Sequence, residues 1–167
     1  MFGRLLAAAA LVAGVGAAQA GDIAVRDAYA RSSNQKNGAA FMVIENHGAA
    51  DDRLVAARSP AARKVELHTH VIADGVARMR PVEGGIPVPA GGRVALERGG
   101  LHVMFMGLTT PFEDGREIPL TLVFERAGEM ALQVPVDNAR RAAGHGGAQM
   151  GHGHMHGKTD GHGAAAQ

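Results

Sequence analysis

Two alternating segments concentrate the side chains that could do chemistry. In Glu66-Leu67-His68-Thr69-His70-Val71 the alternation puts His68 and His70 on one face of a strand. His102-Val103-Met104-Phe105-Met106 repeats the pattern, with His102, Met104 and Met106 on one face and Val103 and Phe105 on the other. Between these segments, Asp74-Gly75 is a strong signal for a two-residue hairpin turn. With that pair as the loop, Ala73 pairs with Val76 and His70 with Met79, and His68 lies diagonally from Met79 within side-chain reach. A turn one residue earlier, at Ala73-Asp74, sets His68 itself opposite Met79. Either register gathers imidazole and thioether together.

Thioether sulfur is neutral, soft and polarisable, and among common biological metals it suits Cu(I). Zinc would normally recruit thiolate, carboxylate or a third imidazole. The blander alternative is that a strand Met fills a core and that a buried His is a satisfied polar group. Two strands that each carry His and Met weigh against that alternative. The chain has nine His and eight Met but no Cys and no Trp. The lack of Cys excludes disulfides, thiolate zinc sites, cysteine nucleophiles and blue-copper or binuclear electron-transfer centres. Holding copper therefore fits better than cycling it. Three serines occur, Ser32, Ser33 and Ser59, none of them in a nucleophile elbow. A formal charge of +1 argues against bulk electrostatic binding of nucleic acid.

The elements that must position these donors are short strands. Candidates are Ile23–Ala30, Ala39–Glu45, Leu54–Ala57, Lys64–Ile72, Val76–Val82, Arg93–Glu97, His102–Leu108, Ile118–Glu125 and Met130–Val136, separated by Gly-, Asp- and Asn-rich turns. The best helix candidate is the Ala-rich piece Ala49–Ala62, and Pro60 cuts it. Strands at this spacing predict an all-β Greek-key sandwich or barrel over residues 21–136. Residues 1–20 read as a cleaved signal peptide: Arg4, an apolar run from Leu5 to Val15, then Ala18-Gln19-Ala20. The apolar run is too short for a comfortable membrane span, and a lipid anchor on Cys is excluded. The expected location is an exported one, the periplasm if the source is bacterial.

The residues His68-x10-Met79-x22-His102-x-Met104 resemble the H-x10-M-x21/22-H-x-M signature of the periplasmic copper chaperones called PCu(A)C. The surrounding stretches "VELHTHV", "DGVARMRPVEGG" and "GGLHVMFMGLTTPFEDGREIPLTLVFERAGE" are similar to that family too, as is "VRDAYARSS" near residue 25. The resemblance covers about Gly21 to Val136. It implies a cupredoxin-like β-barrel that binds one Cu(I) through His68, Met79, His102 and Met104. It further implies delivery of copper to cytochrome c oxidase, chiefly the binuclear centre of its copper-bearing subunit, often beside a Sco-type thioredoxin-like copper protein. Tyr29 stands where family members often carry Trp, and Ala77 where another Met is common. His70 and Met106 lie beside the motif as possible auxiliary ligands, while His47 reads as a turn residue.

Residues 137–167 read as a linker and a disordered tail. Residues 144–167 contain five His, two Met and eight Gly and nothing aliphatic larger than Ala, too little apolar surface to offset ordering entropy. His145, Met150, His152, His154, Met155, His156 and His162 are secondary metal donors, with imidazoles suited to Cu(II) and Met155 to Cu(I). A physiological copper role for the tail is expected; the alternative is a tail that binds metals adventitiously or only solvates the end of the chain. Three functions compete: a copper metallochaperone without turnover, a copper buffer or resistance protein led by the tail, and a copper enzyme. Methionine ligation in a Cys-free domain argues against the enzyme. No nucleic acid and no membrane-embedded segment is expected.

Overall fold

The computed structural model describes residues 19–140, and the secondary structure assigned in them is strand. The strands are β1 (Gln19–Ala20), β2 (Ile23–Asn34), β3 (Asn37–Asn46), β4 (Asp52–Arg58), β5 (Ala62–Ala73) and β6 (Val76–Pro81). They continue as β7 (Ile86–Val88), β8 (Arg93–Leu96), β9 (His102–Leu108), β10 (Glu117–Phe124) and β11 (Gly128–Pro135). They form two sheets. One runs β1-β2-β3-β9-β5-β6, with β8 also paired to β3; the other runs β11-β10-β4-β7. All strand pairings are antiparallel, and an isolated parallel bridge joins Ala30 to Val136.

The inner faces of the two sheets make the core. Ala40, Met42, Ile44, Leu67, Val103 and Phe105 of the larger sheet bury with Leu54, Ile118, Leu120, Leu122, Met130 and Val134 of the smaller. Every second residue of these strands is apolar, and the hydrophobic effect selects the register that turns that set inward. The strand expected at Leu54–Ala57 is β4, inside the Ala-rich segment that Pro60 bars from being a helix. Leu54 and Ala57 bury from it into the core, and Val55 is squeezed out at a bulge where Val123 pairs with Ala56 but Phe124 with Leu54. A helix there would leave the β10 edge unpaired.

A second bulge matters more for function. The β2–β3 register shifts between Arg26 and Tyr29, and Asp27 takes a left-handed conformation with φ of 53°. The extra residue flips the side-chain parity of β2. Ile23 and Val25 point to the core before it; Tyr29 after it lands on the outer face, packed on Phe41 with ring centroids 5.2 Å apart. Tyr29, Ala39 and Phe41 form a second small buried cluster on that outer face.

Contacts with the body continue past Val136. The Asp137 amide donates to the Ala30 carbonyl, and Asn138 bonds the Ser32 amide and the Phe112 carbonyl. The Arg140 guanidinium lies 4.3 Å over the Tyr29 ring. Residues 1–18 and 141–167, and with them most of the signal-peptide reading and all seven donors from His145 to His162, lie outside the described residues.

Candidate metal centre

Strands β9, β5 and β6 lie side by side, and their registers decide which donors meet. The β5–β6 hairpin turns at Asp74-Gly75, with Asp74 and Gly75 at φ of 54° and 74°. Two successive positive φ values are what a type I′ turn requires, and Asp-Gly is a favoured pair for it. Ala73 therefore pairs with Val76 and His70 with Met79, the first of the two registers anticipated from the sequence. His68 pairs with Pro81 on that side, so Met79 is its diagonal neighbour. On the other side, His68 pairs with His102 and Glu66 with Met104. Residues directly opposite share a face, so Glu66, His68, His70, Met79, His102, Met104 and Met106 all stand on the outer face of the larger sheet.

His102 is 2% exposed and His68 8%. Met104 is also buried, whereas Met79 is half-exposed at 50%. The His102 ring centroid is 5.2 Å from that of His70 and 6.0 Å from that of His68, and its ring packs on Phe41 at 6.2 Å. A cleft of about 610 Å³ opens on this face, lined by His70, Met79, His102 and Met104 together with Arg31 and Arg98. His68 does not line the cleft. Met106 and the exposed His47 stand apart from it, His47 beside Glu45 at 3.3 Å. Ala39, opposite Met104 on β3, also lines the cleft.

Burial pushes the His102 imidazole below its ordinary pKa; the hydrogen bond to the Gly100 carbonyl opposes this, and the nearby His70 and His68 reinforce it. The shift favours the neutral ring, the form in which imidazole binds a metal. Glu66 moves the other way from neutrality: Lys64, donating to one carboxylate oxygen at 2.6 Å, and His68, at 3.0 Å from the other, hold its pKa low. The Nδ1 atoms of His68 and His70 are buried without a hydrogen-bond partner. Such orphaned nitrogens are uncommon and are expected where a ligand completes the site.

Among the described residues, no three His, Asp or Glu side chains converge into a metal site by themselves. Two imidazoles and two thioethers on adjacent strands make a neutral, soft donor set matched to a monovalent soft cation. The alternation in the sequence marks the His and Met residues and their shared face. Glu66 and Phe41 escape that reading, although the alternation that aligns His68 and His70 puts Glu66 on the same row.

Residues 23–136 match the family model LpqE-like, described as "Putative lipoprotein LpqE-like". The protein named "Putative lipoprotein Lxx21020" of Leifsonia xyli subsp. xyli (strain CTCB07) is 35% identical over 118 residues, 71% of this chain and 71% of that protein. Among solved structures, the copper-bound PCuAC domain from PmoF2 is 26% identical with a TM-score of 0.59, covering 71% of this chain and 94% of that one. The solution structure of the Cu(I) form of DR1885 from Deinococcus radiodurans is 28% identical with a TM-score of 0.55, covering 69% and 79%.

Proposed function

The chain belongs to the LpqE-like family, and on that premise we propose that it is a periplasmic copper metallochaperone, not an enzyme. Its body holds one Cu(I) through His68, Met79, His102 and Met104, with His70, which lines the cleft, as an auxiliary donor and Met106 too far along β9 to take part. The observation that carries this reading is the gathering of imidazoles and thioethers from β5, β6 and β9 on one open face, in a chain without a single Cys. The copper in the PCuAC domain from PmoF2 and the Cu(I) in DR1885 support it.

Handover follows from the uneven burial of the donors. His102, His68 and Met104 are buried in the sheet face, while Met79 is half-exposed on the edge strand β6. An incoming ligand replaces Met79 first, and neutral donors let the cation leave without separating charge in a dry site. The acceptor we propose is the binuclear copper centre of cytochrome c oxidase, reached directly or through a Sco-type protein. The chain has no thiol, so a separate reductant must keep a dithiol acceptor reduced. Export rests on the leader read in residues 1–20; among the described residues, no helix is long and apolar enough to cross a membrane.

The test is a Cu(I) titration against a chromogenic chelator, followed by transfer to the copper-bearing domain of the oxidase. One equivalent held tightly and lost in His102→Ala supports the reading. A zinc affinity equal to that for Cu(I), or no transfer to the oxidase domain while other acceptors are loaded, removes the corresponding part of it. A second reading, a copper buffer, is favoured by the seven tail donors from His145 to His162. It predicts that most of the bound copper resides beyond residue 140.

A further inference from the structure

Resting on the copper reading above, we propose that Glu66 is a positioning residue that selects Nδ1 as the copper-binding atom of His68, while the Gly100 carbonyl selects Nε2 on His102. An ionised carboxylate and a backbone carbonyl accept hydrogen bonds and donate none. His68 Nε2 lies 3.0 Å from Glu66 Oε2, so Nε2 must carry the proton and donate. The lone pair is then on Nδ1, the atom that is buried and has no partner. His102 Nδ1 lies 3.0 Å from the Gly100 oxygen, so its proton is on Nδ1 and its lone pair on Nε2.

This is the outer-sphere arrangement that metal-binding histidines use: the nitrogen not bound to metal donates to a carboxylate or carbonyl, fixing tautomer and ring orientation. His68 and His102 both have it. His70 lacks such a partner for its buried Nδ1, although it lines the cleft and faces Met79. The distinction ranks His68 above His70 as a ligand on grounds independent of any motif. Glu66 is itself aimed, because Lys64 binds its other oxygen at 2.6 Å and leaves Oε2 for His68. Lys64, Glu66 and His68 occupy alternate positions of β5, so one row of side chains orients the imidazole from its own strand.

The experiment uses the full chain labelled with ¹⁵N, before and after one equivalent of Cu(I). In the metal-free chain, His68 should show its unprotonated nitrogen at Nδ1 and His102 at Nε2, and Cu(I) should shift those two resonances. Glu66→Ala should mix the His68 tautomers and lower Cu(I) affinity by about 10–100-fold. Glu66→Gln, whose amide oxygen still accepts, should restore most of both. An unprotonated Nε2 on His68 in the metal-free chain overturns the proposal, as does Glu66→Ala binding Cu(I) within twofold of wild type with its fold unchanged by circular dichroism. Failure of the wild-type chain to bind Cu(I) is a different result: it removes the copper reading, and the role of Glu66 toward copper falls with it.

Discussion

His70 stands directly across the β5–β6 hairpin from Met79, while His68 faces Pro81 on that side and His102 on the other. His68 thus has an imidazole directly opposite it on β9 and, on β6, Met79 as a diagonal neighbour. Diagonal neighbours in an antiparallel pair stand about 7–8 Å apart, within reach of a side chain with three rotatable bonds. Since Met79 is half-exposed and the other donors are buried, ligand exchange with a partner should begin there.

Met79→Leu and Met104→Leu remove the sulfur and keep the volume. Met104 is 7% exposed, so truncation to Ala would disturb packing as well as ligation. The isosteric change should cost less than about 1.5 kcal/mol of stability. Each variant should lose at least about tenfold in Cu(I) affinity, the loss that follows when a donor contributes roughly 1.4 kcal/mol. Paired urea melts and chelator competition measure the two effects; unchanged affinity in Met104→Leu takes that residue out of the ligand set.

The lowered pKa of His102 sets a direction for acid. Its folded value lies below the ordinary 6.5, so below that pH the unfolded chain takes up a proton that the folded chain refuses. The contribution of His102 to stability is complete above 6.5 and is lost as pH falls from 6.5 through the folded value. Because burial shifts its protonation to lower pH, this ligand should lose Cu(I) to protons later than an ordinary histidine as the solution is acidified. The Cε1 proton of His102 in the metal-free chain should titrate with a midpoint below 6.5, and a midpoint above it would contradict the effect of burial.

The nine strands anticipated from alternation and turn residues all exist, because a half-buried sheet face writes its period directly into the chain. Strand β7, three residues containing Pro87, was illegible: no alternation can be read in so short a piece. The β2 bulge was equally hidden. Nothing in the string around Asp27 announces that Tyr29 changes faces, since that depends on pairing with β3. At the candidate site, Asp74-Gly75 narrowed the hairpin to two registers, and the structure selects one. The Glu66–His68 contact escaped notice because carboxylates on exposed strands are ordinarily solvated, and only the burial of His68 gives this one a task.

Asp52 offers a test of the fold apart from the metal face. Burial alone would raise its pKa, but the amides of Arg126, Arg53 and Ala127 donate to its carboxylate and outweigh that effect, leaving the pKa below 3.8. Asp52 ties β4 to the β10–β11 turn. Asp52→Ala should destabilise by about 2–3 kcal/mol, the scale of hydrogen bonds to a charged acceptor. In the wild type this contribution is present above pH 3.8 and lost as pH falls through the lower folded value. Urea midpoints at neutral pH and near pH 3 should therefore differ less in the variant than in the wild type.

Removing the tail should separate two copper chemistries, provided the cut respects the body. Asp137 and Asn138 bond to the body and Arg140 caps Tyr29, so the truncation belongs after Arg140 rather than after Val136. The shortened chain should keep the Cu(I) site of His68, Met79, His102 and Met104. It should lose most Cu(II) binding, which falls to the imidazoles of His145, His152, His154, His156 and His162. The stack Arg140–Tyr29–Phe41–His102 sets Arg140, the last described residue, on the same face as the cleft, with successive separations of 4.3, 5.2 and 6.2 Å. Tethering at that point raises the effective concentration of tail-bound metal at the cleft. Full-length chain loaded with one Cu(II) and reduced with ascorbate should therefore shift the methyl resonances of Met79 and Met104. Separate tail peptide at the same concentration should load a chain ending at Arg140 more slowly. Equal rates, or methyl signals that never move, would reduce the tail to a sink with no part in loading the body.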